Sequence, residues 1–164
     1  MAAKQGSGSS ASGEDSAALR ERFWTGLLDY LTEQHPTLDP FEVKSKHVIR
    51  LQSGVKSIAF EMRYLVKPAT VAIHIAFWRA SSLAAWDSVQ EKKDELDAAV
   101  DDVWEFGRPD DDRNPRWMTL KLDLASTSES EWPAAYAWFG RKHEPLFTKI
   151  APLLRDEMAR AVAA

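Results

Sequence analysis

Two short stretches of period-two alternation constrain this chain more than any other feature. In residues 57–64, Ile58, Phe60, Met62 and Tyr64 share one face; in residues 71–77, Val71, Ile73, Ile75 and Phe77 do the same, with Ala72, His74 and Ala76 opposite. Successive side chains of an extended strand point to opposite sides, so each stretch has one face to bury. Lys67-Pro68 stands between them. A connection that short forces antiparallel pairing. Residues 47–51 read as a shorter strand joined through a Ser53-Gly54 turn, which makes a three-stranded meander.

Helical spacing dominates the rest. Phe23, Trp24, Leu27, Leu28 and Leu31 recur on one side of a first helix, opposite Arg20, Glu21, Arg22 and Asp29, and His35-Pro36 closes it. After the meander, Ser81 or Ser82 caps a long helix with a stripe of Leu83, Trp86, Val89, Leu96, Val100 and Val103, ended by Gly107, Arg108 and Pro109. Met118, Leu120, Leu122 and Leu124 then alternate as a fourth strand. A last helical segment has Ser130 as cap and Pro133 in its first turn, with Trp132, Tyr136, Phe139, His143, Leu146, Ile150 and Leu153 in phase. Gly140, Pro145 and Pro152 do not suit one straight helix, so a break near His143 and Glu144 and a kink before Pro152 are expected. The expected fold is α+β: a four-stranded, mostly antiparallel sheet with helices on one face, in the order α-β-β-β-α-β-α.

At 164 residues, 45% of them hydrophobic and including 7 Trp and 7 Phe, the chain has material for one well-filled core. Residues 1–16 are small and polar and read as a disordered tail, leaving 17–164 as a single domain. That tail has no apolar region of the signal-peptide kind, and the longest apolar run, 71–78, is interrupted by His74. The chain contains no Cys, which suits a reducing compartment and removes thiolate metal sites and thiol nucleophiles. A cytoplasmic protein with no membrane partner is expected.

The net charge of −4 argues against a generally basic surface, but it is unevenly spread. Residues 87–112 hold 11 Asp/Glu against 3 Lys/Arg, so the remainder is net basic by four. A solvated helix face accounts for most such runs. Asp101, Asp102 and Glu105 nevertheless crowd a helix C-terminus, where carboxylates oppose the macrodipole. Asp101 and Asp102, together with Asp110, Asp111 and Asp112, are the candidates for docking a protein partner. The Asp triplet lacks the spaced pattern of a calcium loop.

Catalytic motifs are not evident. His35, His47, His74 and His143 show no paired metal-ligand spacing, no Ser occupies a nucleophile elbow, and the glycines beyond the tail stand singly. No cofactor is expected. Glu42-Val43-Lys44 matches half of a metal-dependent nuclease motif, yet the nearest upstream carboxylate, Asp39, lies in the same loop rather than on a neighbouring strand. Among the tryptophans, Trp24, Trp86, Trp132 and Trp138 fall at core positions. Trp78 and Trp117, at strand ends, are placed for exposure, with Arg79, Arg113 and Arg116 near them as nucleic-acid candidates.

The pattern from residue 19 to 154 resembles a family of bacterial domains of unknown function. The resemblance rests on Phe23-Trp24 with Leu27, Leu28, Tyr30 and Leu31, on Ser45-Lys46-His47 and the Ser53-Gly54 turn, and on the Val71/Ile73/Ile75 strand. It continues through the Lys92-Lys93 pair, Trp104-Glu105, Trp132-Pro133, Trp138 and Phe147. Members of that family occur alone or fused behind nuclease-like domains in restriction and phage-defence proteins, and no catalytic residues carry over. Where the family tends to have a Gly before the Trp-Glu pair, Asp101-Asp102-Val103 stand here. The resemblance implies a non-catalytic accessory or binding domain acting through protein or nucleic-acid contacts. The rival expectation is a metal-dependent hydrolase or nuclease using Glu42, Lys44 and His74.

Overall fold

The structure, a computed structural model, describes residues 11–108 and 115–163. Helix α1 (Ala11–Gln34) leads into β1 (Val48–Leu51), β2 (Ile58–Val66) and β3 (Ala69–Phe77). Helices α2 (Ala80–Glu91) and α3 (Lys93–Val100), then β4 (Glu105–Gly107) and β5 (Arg116–Asp123), complete the middle of the chain. A 3-10 turn (Glu129–Glu131), α4 (Trp132–Pro145), a π-helical turn (Leu146–Ile150) and α5 (Ala151–Ala163) follow. Helix α1 opens inside the segment expected to be a tail, and residues 1–10 lie outside the described ones.

The sheet has five strands, not four, in the order β1-β2-β3-β5-β4, and every pairing is antiparallel. The strand missing from the sequence reading is β4. Three residues are too few to display alternation, and they fall between the last residue of the expected helical stripe, Val103, and the expected helix end at Gly107. That helix is in fact two, broken at Lys92, and it ends at Asp101 rather than Gly107. Asp101 adopts a left-handed conformation (φ 50°), which terminates α3 and turns Val103 outward to 64% exposure.

The apolar face of each alternating strand is largely buried, and in β3 the opposite face is nearly buried as well. Phe60, Tyr64, Val71, Ile75, Phe77, Met118 and Leu120 are fully buried on one face. The helices dock there: Phe23 of α1 stacks on Tyr64 with ring centroids 3.9 Å apart, Trp86 of α2 meets Phe77 edge-on, and Phe147 of the π turn reaches Phe60. Trp24 donates its indole N–H to the Lys46 carbonyl (2.8 Å), tying α1 to the approach of β1. Tyr136 of α4 donates to the Phe23 carbonyl (2.9 Å) across Gly26, where a Cβ would fall 2.4 Å from the phenol oxygen.

The break expected at His143 and Glu144 appears instead as the π turn just beyond Pro145. Proline has no N–H for the carbonyl four residues back, and a π turn is one way to absorb the gap without ending the helix. Pro152, before which a kink was expected, follows directly on that π turn as the second residue of α5.

One buried cation closes the helical layer. Lys142 of α4 is 6% exposed; its ammonium donates to the Val100 (2.8 Å) and Asp101 (3.3 Å) carbonyls and pairs with Asp102 (3.2 Å). It therefore supplies the positive charge that the C-terminus of α3 calls for. Replacing Lys142 with Ala should cost about 2–3 kcal/mol, because it orphans these carbonyls and leaves Asp102 without its cation. Asp102→Asn should cost markedly less, since the carbonyls keep their donor. Urea midpoints for the two variants check the order.

Candidate functional site

The face of the sheet opposite the helices is polar, and strand register assembles it. Arg50 of β1 pairs with Glu61 of β2, Glu61 with His74 of β3, His74 with Thr119 of β5, and Thr119 with Glu105 of β4. Directly opposed residues share a face, so these five form one row across all five strands. Ala59, Ala76, Trp117 and Gly107 form the next row.

Glu61 is the anchor of the row. It is 4% exposed, yet it accepts from Arg50 Nε (3.2 Å), Arg63 Nε (3.2 Å) and Arg63 Nη2 (2.7 Å). A carboxylate this buried needs such partners. The two guanidiniums reach solvent to very different degrees, with 67% of the Arg50 side chain exposed and 32% of that of Arg63. His74 Nδ1 shares a 2.8 Å hydrogen bond with Thr119 Oγ1, and its ring stacks on Trp117. Trp117 lies across Gly107, where a Cβ would come within 2.3 Å of the indole, so only glycine fits beneath it. Lys121 and Glu105 pair at 3.0 Å at the far edge.

At the end of β3 the face carries Trp78, 49% exposed, with the Arg50 guanidinium carbon 6.0 Å from its ring centroid. Cavities of about 640 Å³ and 460 Å³ share Trp78 and Arg50 as walls. The larger is also lined by Lys44, Lys46, Glu61 and Arg63, the smaller by Lys56 and Arg79. Six of the lining side chains are basic and two, Glu42 and Glu61, are acidic. Lys46, Lys56 and Arg79 make no ion pair among the described residues. A further cavity of about 940 Å³, between the α1–β1 loop and the π turn, is lined by His35, Asp39, Phe41, His143 and Phe147. The His35 and His143 rings lie 5.6 Å apart there.

The candidates read from the sequence scatter over this geometry. Arg79 falls beside Trp78, whereas Arg116 pairs in register with Phe77 and so belongs to the opposite face. Asp101 and Asp102 cap α3 around Lys142. Asp110, Asp111, Asp112 and Arg113 lie outside the described residues. Glu42 and Lys44 pair with each other at 3.6 Å in the exposed loop before β1, while Asp39 lines the other cavity. His74 sits mid-sheet and is not among the walls of the cavity that holds Glu42. Among the described residues, no three His, Asp or Glu side chains stand close enough to hold a metal ion. Arg50, Glu61 and Arg63 escaped the sequence reading; a Glu and an Arg on the polar side of a strand look like ordinary solvated residues until register joins them.

Two imidazoles are held at about pKa 4. For His74, burial penalises the charged form and Arg63 repels it, with Glu61 opposing; for His143, burial acts first and the charge of His35 second. An unfolded imidazole takes up its proton near 6.5. Between the two values the unfolded chain binds more protons than the folded one. Stability is therefore complete above about pH 6.5 and is lost as pH falls through about 4. Urea midpoints should decline from pH 7.5 to 4.5, and the His74→Gln, His143→Gln double variant should flatten that decline.

No helix among the described residues is long and apolar enough to cross a membrane. No curated protein and no solved structure matches the chain. Residues 19–152 match the model of a family described as "Domain of unknown function (DUF4268)", which spans the sheet, the polar row and both cavities beside Trp78. The chain belongs to that family.

Proposed function

We propose that this domain is a non-catalytic binding module that holds nucleic acid against the polar face of its sheet. The observation that carries the proposal is the basic cluster around Trp78, in a chain whose net charge is −4. Phosphate neutralisation by Lys and Arg supplies most sequence-independent affinity for nucleic acid. Charge segregation supports the same reading. Much of the acidic stretch lies on α2 and α3, and Trp86 seats α2 on the other side of the sheet. A polyanion is thus drawn to one face and repelled from the other.

The sequence resemblance supplies a setting. Beside the nuclease of a restriction or phage-defence protein, such a module would hold the strand while another domain cuts it. A hydrolase centred on Glu42, Lys44 and His74 has less support, because the ion pair occupies a surface loop and the imidazole belongs to the sheet.

Fluorescence anisotropy with labelled oligonucleotides tests the proposal. Affinity should fall linearly with salt on logarithmic axes, with a slope of about −0.7 for each phosphate neutralised on a single strand. Lys46→Glu with Lys56→Glu should weaken binding by about tenfold or more and make the slope shallower. Absence of binding to any oligonucleotide at the lowest salt overturns the proposal.

A further inference from the structure

Trp78 is an apolar surface that the fold leaves uncovered. Trp24, Trp86, Trp104, Trp132 and Trp138 are all buried, and the other large exposed hydrophobic residues among the described ones are Val103 and Val162. An indole half in water forgoes much of the stabilisation that burial gives its neighbours. Yet its backbone is held on both sides. Its N–H donates to the Ser57 carbonyl (3.1 Å), continuing the β2–β3 pairing, and α2 begins two residues later. There the buried Ser82 hydroxyl accepts from the Arg79 N–H (3.2 Å). The indole therefore projects from a fixed point rather than from a loose loop.

Its surroundings are as specific. Arg50 approaches the ring while its own guanidinium is anchored to Glu61, so cation and aromatic plane form one ridge. That ridge is common to the two basic cavities. Each lies in the range of about 300–1,000 Å³ that holds a small organic ligand. A planar, apolar platform flanked by cations on both sides matches a nucleotide chain whose base lies on the ring and whose phosphates reach the Lys and Arg side chains.

We infer that Trp78 is a stacking platform for an unpaired base, and that the polar face accordingly takes single-stranded rather than duplex nucleic acid. The inference rests on the nucleic-acid reading above and narrows it. In a duplex the faces of each base are covered by its neighbours, and exposing one to Trp78 costs unstacking energy. An unpaired base has its face available. Stacking on an aromatic ring tolerates any base, so little sequence preference is expected.

The test compares a labelled 15-nucleotide single strand with its duplex, using the full chain and the Trp78→Ala and Trp78→Phe variants. Circular dichroism confirms that each variant folds, which the exposure of the residue favours. The native chain should prefer the single strand, Trp78→Ala should weaken that binding by about fivefold to a hundredfold, and Trp78→Phe should restore much of it. A single strand carrying 5-iodouracil should cross-link under ultraviolet light to the peptide containing Trp78. Equal affinity for single strand and duplex, or an unchanged Trp78→Ala variant, overturns the inference. If Lys46→Glu with Lys56→Glu still weakens binding in that case, the basic-face proposal stands without it. Binding to neither oligonucleotide overturns both.

Discussion

The pairing of β3 along both of its edges organises this domain, because the strand has to satisfy two faces at once. Its odd-numbered side chains, Val71 to Phe77, enter the helix-packed core. Its even-numbered ones, Thr70, Ala72, His74 and Ala76, are also nearly buried, although they point to the polar side. Small or neutral residues there make a shallow floor, and longer side chains from β1, β2 and β5 lie over it. The register with β2 and β5 then dictates which side chains meet: Glu61 and Thr119 on either side of His74, Trp117 beside Ala76. A slip of one residue would exchange the two faces and place Glu61 in the aromatic core.

Charge follows from that division. Glu61 is held in a poorly hydrated place by two arginines, and holding it fixes their own orientation. The group is thus a structural ion cluster that also fixes Arg50 beside Trp78. On the helical side, Lys142 performs a comparable service for the end of α3, drawing Asp102 into a capping arrangement. Burial raises the carboxyl pKa of Asp102, but the Val103 N–H and Lys142 outweigh it and leave a net depression. Part of the acidic stretch that stands out in the composition is therefore engaged in closing a helix.

Much of the fold was legible from the residues. Alternation in β2, β3 and β5 survived because each is long enough to show its period and has one strongly apolar side. The helical faces of Phe23, Trp24, Leu27 and Leu31 were as plain. What failed did so for local reasons. The three-residue β4 carries no visible period; α2 and α3 share one apolar stripe across the break at Lys92; and the effect of Pro145 emerges one turn later as a π turn. The candidate site was hardly legible. Trp78 was expected to be exposed at a strand end, with Arg79 beside it, but Arg50, Glu61 and Arg63 come from two strands and gain meaning only from register.

By itself, then, the sequence determined that this protein has an antiparallel meander, amphipathic helices to cover it, and a segregated charge. Those properties depend on residue type at short spacing, and short spacing is what a linear pattern records. Tertiary structure decided that β3 would sit at the centre, that the buried Glu61 would gather two arginines, and that Arg50, Lys46 and Lys56 would come together around the exposed indole of Trp78. Each of these joins residues from separate strands or loops. Their proximity is set by pairing register and by the side of the sheet on which the helices pack, and neither is written in any one segment.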